Sequence, residues 1–135
     1  HQIMASTFGG EVRRSSRDDF VGIKKFVHSD GQIFNRFVWH HDQVTRPPDC
    51  ATVVASSDYC PFASLEYNFP AFSVQYHPEF EKKYFEKLLV AGDGIFLSSK
   101  QTQRVLEEIS SYRVPRDADL KKVRQLLSHN FLNVE

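Results

Sequence analysis

The 135-residue chain reads as an α/β or α+β domain. Three observations carry that expectation. Between residues 20 and 76, apolar residues come in short alternating or β-branched runs, separated by Gly, Pro, Asn, Asp and Ser. After Glu79 the period changes: Phe80, Tyr84, Phe85, Leu88 and Leu89 recur at helical spacing, with Glu and Lys on the other face. Twelve Phe residues in this length supply enough apolar volume for one compact core.

Taken in order, residues 1–8 carry Ile3, Met4 and Phe8 and run into Gly9-Gly10, a helix with a glycine stop. Residues 11–16 predict a short strand that enters a polar loop. Residues 20–27 alternate apolar and polar, as a half-exposed strand does, and Ser29-Asp30-Gly31 is a turn. Residues 34–39 form the next apolar run, which ends at His40-His41-Asp42. Pro47-Pro48-Asp49 makes a stiff turn. Strands are then expected over 51–56, 62–67 and 72–76, an antiparallel meander. Helices come next over 80–89, over 100–112 with Ser98 or Ser99 as cap, and from Asp117 through Phe131. Ala91-Gly92-Asp93-Gly94 breaks the first of these.

Seventeen basic residues balance seventeen acidic ones, so the electrostatic footprint of a nucleic-acid or anionic-membrane partner is missing. No apolar run approaches the length of a membrane span. Two cysteines, Cys50 and Cys60, do not make a disulfide framework. A cytoplasmic setting is the expectation, with neither nucleic acid nor membrane as partner.

The chemistry-bearing stretch is Phe72-Ser-Val-Gln-Tyr-His-Pro-Glu79. In an extended segment His77 and Glu79 leave the backbone on the same side. Pro78 disfavours helical geometry at His77 and so preserves that form. A carboxylate that accepts one ring N–H frees the other ring nitrogen to exchange a proton with a nucleophile. Taken alone, such a pair is more often incidental than catalytic. Cys60 is rejected as that nucleophile, because Pro61 follows it and no glycine-rich elbow surrounds it. His40-His41-Asp42 invites a metal, but a solvated polar loop fits better, since a metal site needs converging ligands with support behind them. No cofactor is expected.

Three segments resemble, in order, the class I glutamine amidotransferases. Val74-Gln-Tyr-His-Pro-Glu79 is similar to the family's His-Pro-Glu motif. Val38-Trp-His-His-Asp-Gln-Val44 is similar to its His-Gly-Asp-x-Val substrate loop, with His41 where the family has glycine. His1-Gln2-Ile-Met-Ala5 is similar to the residues just after the nucleophile in its Gly-x-Cys-x-Gly-His-Gln elbow. Over residues 55–63 the likeness is to the amidotransferase domain of GMP synthetase and its stand-alone relatives.

The resemblance implies a flavodoxin-like, doubly wound open sheet, of which this chain is the C-terminal portion: residues 1–92 within the catalytic core and 93–135 a helical tail. It implies hydrolysis of the glutamine side-chain amide by a Cys-His-Glu triad. His77 and Glu79 would be the catalytic residues present, and Gln2, His41 and Asp42 would bind substrate. The cysteine would lie upstream of His1, in an N-terminal segment that this piece needs as its partner. A synthetase subunit would receive the ammonia. Two other readings stay open: a γ-glutamyl peptide hydrolase with the same apparatus, and an amidotransferase-like binding module without catalysis.

Overall fold

A computed structural model describes residues 1–15 and 20–112. The expected helix from Asp117 lies outside these residues. The chain opens with helix α1 (Gln2–Thr7) and strand β1 (Glu11–Arg14), followed by the hairpin β2 (Val21–His28) and β3 (Ile33–Trp39). Strands β4 (Asp42–Arg46), β5 (Ala51–Ser56), β6 (Ser64–Tyr67) and β7 (Phe72–Val74) come next, then helices α2 (Lys82–Gly92) and α3 (Ser99–Ser110). Five strands form one sheet in the order β3-β2-β5-β6-β7, and β1 pairs with β4 in a separate ribbon. Every ladder between these strands is antiparallel. An antiparallel meander followed by C-terminal helices is the expected plan.

Local chemistry explains the ends of the helices. The α1 stop is a Schellman motif: Gly10 N–H donates to Ala5 O at 2.8 Å and Gly9 N–H to Ser6 O at 3.2 Å. Gly9 takes φ +93°, a conformation that costs a residue with a Cβ. Helix α3 opens with a capping box, in which Ser98 Oγ accepts from Gln101 N–H and Gln101 Oε1 accepts from Ser98 N–H.

Burial follows the alternation of the strands. Phe37 and Val38 are neighbours on β3 that face opposite ways. Phe37 enters a cluster with Phe85 and Leu89 of α2 and Val105 and Ile109 of α3. Val38 enters a second cluster with Phe26, Tyr59, Cys60 and Tyr76. Burying each large side chain of this kind stabilises by roughly 1.5–3 kcal/mol. A third cluster of Ala5, Val44, Leu65 and Tyr67 seats α1 against β4 and β6.

The structure departs from the sequence expectation at three places. Residues 42–46 form a strand where none was expected. This stretch carries one apolar residue, Val44, and gains its regularity from pairing with β1. Helix α2 begins at Lys82 and continues through Ala91 and Gly92. Gly92 stays inside it because a Cβ there would come within 3.0 Å of the Trp39 ring. Phe80 lies before the helix, stacked on His77.

Candidate functional site

The strand β7 and the bend after it deliver the central pair. Val74 and Tyr76 turn into the aromatic cluster behind the sheet, so Ser73, Gln75 and His77, two apart, share the other side. His77 Nδ1 meets Glu79 Oε1 at 2.8 Å. A carboxylate only accepts, so Nδ1 carries the proton and Nε2 keeps its lone pair in the neutral ring. The ring lies flat on Phe80, with centroids 4.1 Å apart and planes 7° from parallel. His77 N–H donates to Phe37 O at 2.9 Å, which ties the bend to β3. Nε2 faces the Trp39 carbonyl oxygen at 3.5 Å, too long for a strong bond. Glu79 is exposed, with 63% of its side chain accessible, and His77 is half-buried.

These groups open onto a cleft of about 350 Å³ lined by His1 and Gln2 of the α1 start, Trp39 and His40 of the β3 end, and residues 74–79. That size suits a small ligand. The α1 start is pinned in place. His1 Nε2 donates to Phe62 O at 2.8 Å, and its Nδ1 accepts from Ser73 Oγ at 2.8 Å. Ser73 Oγ in turn lies 3.3 Å from Tyr67 Oη.

Of the residues singled out in the sequence, the cleft brings together Gln2, His77 and Glu79. His41 and Asp42 sit beside it. The His41 ring packs on Phe20 with centroids 3.8 Å apart. The Asp42 carbonyl oxygen accepts from Gln2 Nε2 at 2.9 Å and from His40 Nδ1 at 3.1 Å. His40 is buried, and its Nε2 lies 3.3 Å from Tyr59 Oη. Among the described residues no three His, Cys, Asp or Glu side chains converge on a metal position. Cys60 is fully buried, and desolvation pushes its thiol up to about 12, so the thiolate is suppressed at neutral pH.

Sequence reasoning missed four contributors: His1 as an anchored ring, Trp39 as a carbonyl facing His77, Gln75 on the cleft wall and Phe80 as the stacking platform. The period of two through 73, 75 and 77 was the signal available for Gln75. For His1 and Trp39 the partners are too distant in sequence, 72 residues for His1 and Ser73 and 38 for Trp39 and His77, and Phe80 falls on a helical stripe by its spacing.

The family model for glutamine amidotransferase class-I matches residues 1–95. The chain is 34% identical over 87 residues to a glutamine-hydrolyzing GMP synthase subunit of Methanococcus maripaludis, covering 58% of this chain and 46% of that protein. It therefore spans about half the length of the curated relatives it matches. A glutamine amidotransferase structure from Thermotoga maritima superposes with a TM-score of 0.68 at 23% identity, over 95% of this chain and 57% of that one. One from Methylobacillus flagellatus gives 0.71 at 16% identity, over 97% and 58%. At these identities the two structures speak for the fold, and they share it.

Proposed function

We propose, for a chain that belongs to the class I glutamine amidotransferases, that residues 1–135 carry the histidine–carboxylate half of a glutaminase site. The observation that carries this reading is the 2.8 Å contact of His77 with Glu79, in a cleft that also holds His1 and Gln2. Both cysteines of the chain fit the nucleophile poorly. Cys60 is buried, and Cys50 sits at the head of β5, packed against the cluster under α1. The thiolate therefore comes from sequence outside residues 1–135.

The reaction runs in two steps. The thiolate attacks the carboxamide carbon, a C–S bond forms, and the C–N bond breaks as the His77 imidazolium gives its Nε2 proton to the leaving ammonia. Neutral His77 then takes a proton from water, whose oxygen displaces the thiolate and leaves glutamate. Glu79 holds the ring through Nδ1 and stabilises the imidazolium that forms. Phe80 fixes the ring plane. Gln2 and the backbone around His41 and Asp42 hold the amino-acid end of glutamine, a role supported by the Gln2–Asp42 bond that joins helix and loop. His41, a side chain where the family has glycine, narrows that loop.

On this reading residues 1–92 make the catalytic-core part and 93–135 a tail, of which α3 is described. This division is one of role, since Val105 and Ile109 of α3 share a packed cluster with α2 and β3. The ammonia passes to a synthetase subunit, as the relatedness to a GMP synthase subunit suggests. No described helix is long and apolar enough to cross a membrane, and a cytoplasmic location fits this reading.

The test is an ammonia-release assay on the full-length protein, with glutamine and a γ-glutamyl dipeptide side by side. Turnover of glutamine is the expected result. Turnover of the dipeptide alone would make the protein a γ-glutamyl hydrolase. Turnover of neither would leave a binding module and overturn the proposal.

A further inference from the structure

We infer that Gln75 reads the carboxamide nitrogen of the substrate and rejects the carboxylate of the product, an inference that rests on the glutaminase reading above. Gln75 is 4% exposed, and its Oε1 is buried without a hydrogen-bond partner, the one such side-chain atom among the described residues. A buried acceptor left unpaired is costly, and such atoms in a native fold mark places where a partner arrives later.

Its position identifies the partner. Gln75 lies between Ser73, which anchors His1, and His77, which carries Glu79, and it lines the same cleft. Its backbone is fixed, with N–H donating to Ala63 O at 2.8 Å. The terminal amide torsion is soft, so Oε1 turns toward a donor in the cleft at small cost. The Trp39 carbonyl oxygen, which faces His77 Nε2, is an acceptor too. A pair of acceptors suits a primary amide, whose –NH₂ offers two donors, and then ammonia. It opposes a carboxylate, which has none.

Before C–N cleavage Oε1 accepts one amide N–H and aims the nitrogen at His77. After thioester hydrolysis an oxygen stands where nitrogen stood, and it brings no proton to Oε1 or to the Trp39 carbonyl. The same residue thus selects glutamine and hastens loss of glutamate.

The experiment replaces Gln75 with Met and, separately, with Leu, both lacking the amide oxygen at similar volume, in the full-length protein. It measures kcat/KM for glutamine, the inhibition constant of glutamate and the thermal midpoint. The expected result is a fall in kcat/KM of about tenfold or more, tighter glutamate inhibition by about threefold or more, and an unchanged or higher midpoint, because an unpaired polar atom has gone. Unchanged kcat/KM and glutamate inhibition in an active wild type would overturn the role of Gln75 and leave the glutaminase reading standing. A lowered midpoint in both variants would overturn it too, since Oε1 would then have been structural. A wild type without glutaminase activity would overturn both.

Discussion

Three histidines line the same cleft, and the surroundings of two of them, His40 and His77, set them to different work. His40, at the corner where β3 leaves the five-stranded sheet, is buried. One ring nitrogen meets the Asp42 carbonyl oxygen and the other the Tyr59 hydroxyl. His77, at the end of β7, is half-buried. One nitrogen meets a carboxylate at 2.8 Å and the other has a distant carbonyl at 3.5 Å. A ring bonded at both ends is a strut, and gaining or losing a proton there disrupts a bond. A ring bonded at one end to a carboxylate can shuttle a proton at the other. Sequence places both histidines next to polar residues at strand ends. Their partners separate them.

The largest test of this contrast is the pair His77→Ala and His40→Ala, made in the full-length protein. His77→Ala is expected to lower glutaminase turnover by about 10³–10⁴-fold or more with little change in stability. His40→Ala is expected to cost about 1–3 kcal/mol of folding stability in urea titrations, because it removes a buried ring that bonds the Asp42 carbonyl oxygen and the Tyr59 hydroxyl. Its effect on turnover should be far smaller. Exchange of these two outcomes would invert the assignment.

A smaller effect is expected at the orienting carboxylate. Glu79→Gln keeps the shape of the side chain and removes its charge. Turnover should fall roughly 10²-fold, short of the about 10⁴-fold cost of removing a buried triad carboxylate, since solvent already screens the exposed Glu79. Folding stability should move by less than about 0.5 kcal/mol, as for other exposed positions. If stability dropped and turnover held, the contact would be a surface ion pair and nothing more.

How much of this could be read beforehand depends on how local each cause is. The His77–Glu79 contact was legible because both residues sit on one short segment whose form Pro78 constrains. Strand β5 was found residue for residue, since Ala51–Ser56 carries its own β-branched signal between two turns. The α3 cap, expected at Ser98 or Ser99 and found at Ser98, was equally local. Strand β4 was not legible, because its partner Glu11–Arg14 lies far up the chain and its own residues are mostly polar. Phe80 fitted a helical stripe by spacing, yet it serves the His77 ring, a use that spacing alone does not encode. Trp39 joins Gln75 and His77 in the cleft lining from far up the chain, and no sequence pattern announces that meeting.

The smallest expected effect carries the same contrast to the thiols. A nucleophilic cysteine needs a stabilised thiolate, and Cys60 has the opposite surroundings: full burial among Phe26, Val38 and Tyr59. Desolvation raises its thiol to about 12, above the ordinary value of 9.0. The folded state therefore holds this proton more tightly than the unfolded chain does. Its contribution to stability is complete below about pH 9 and is lost as pH climbs toward 12. Cys60→Ala should leave glutamine turnover within about twofold of the parent and cost about 1 kcal/mol through the small cavity it opens. The parent should lose stability more steeply than the variant in denaturant titrations run from pH 9 upward. Abolished turnover in a folded Cys60→Ala protein would place the nucleophile inside this chain and would require the aromatic cluster to open during catalysis.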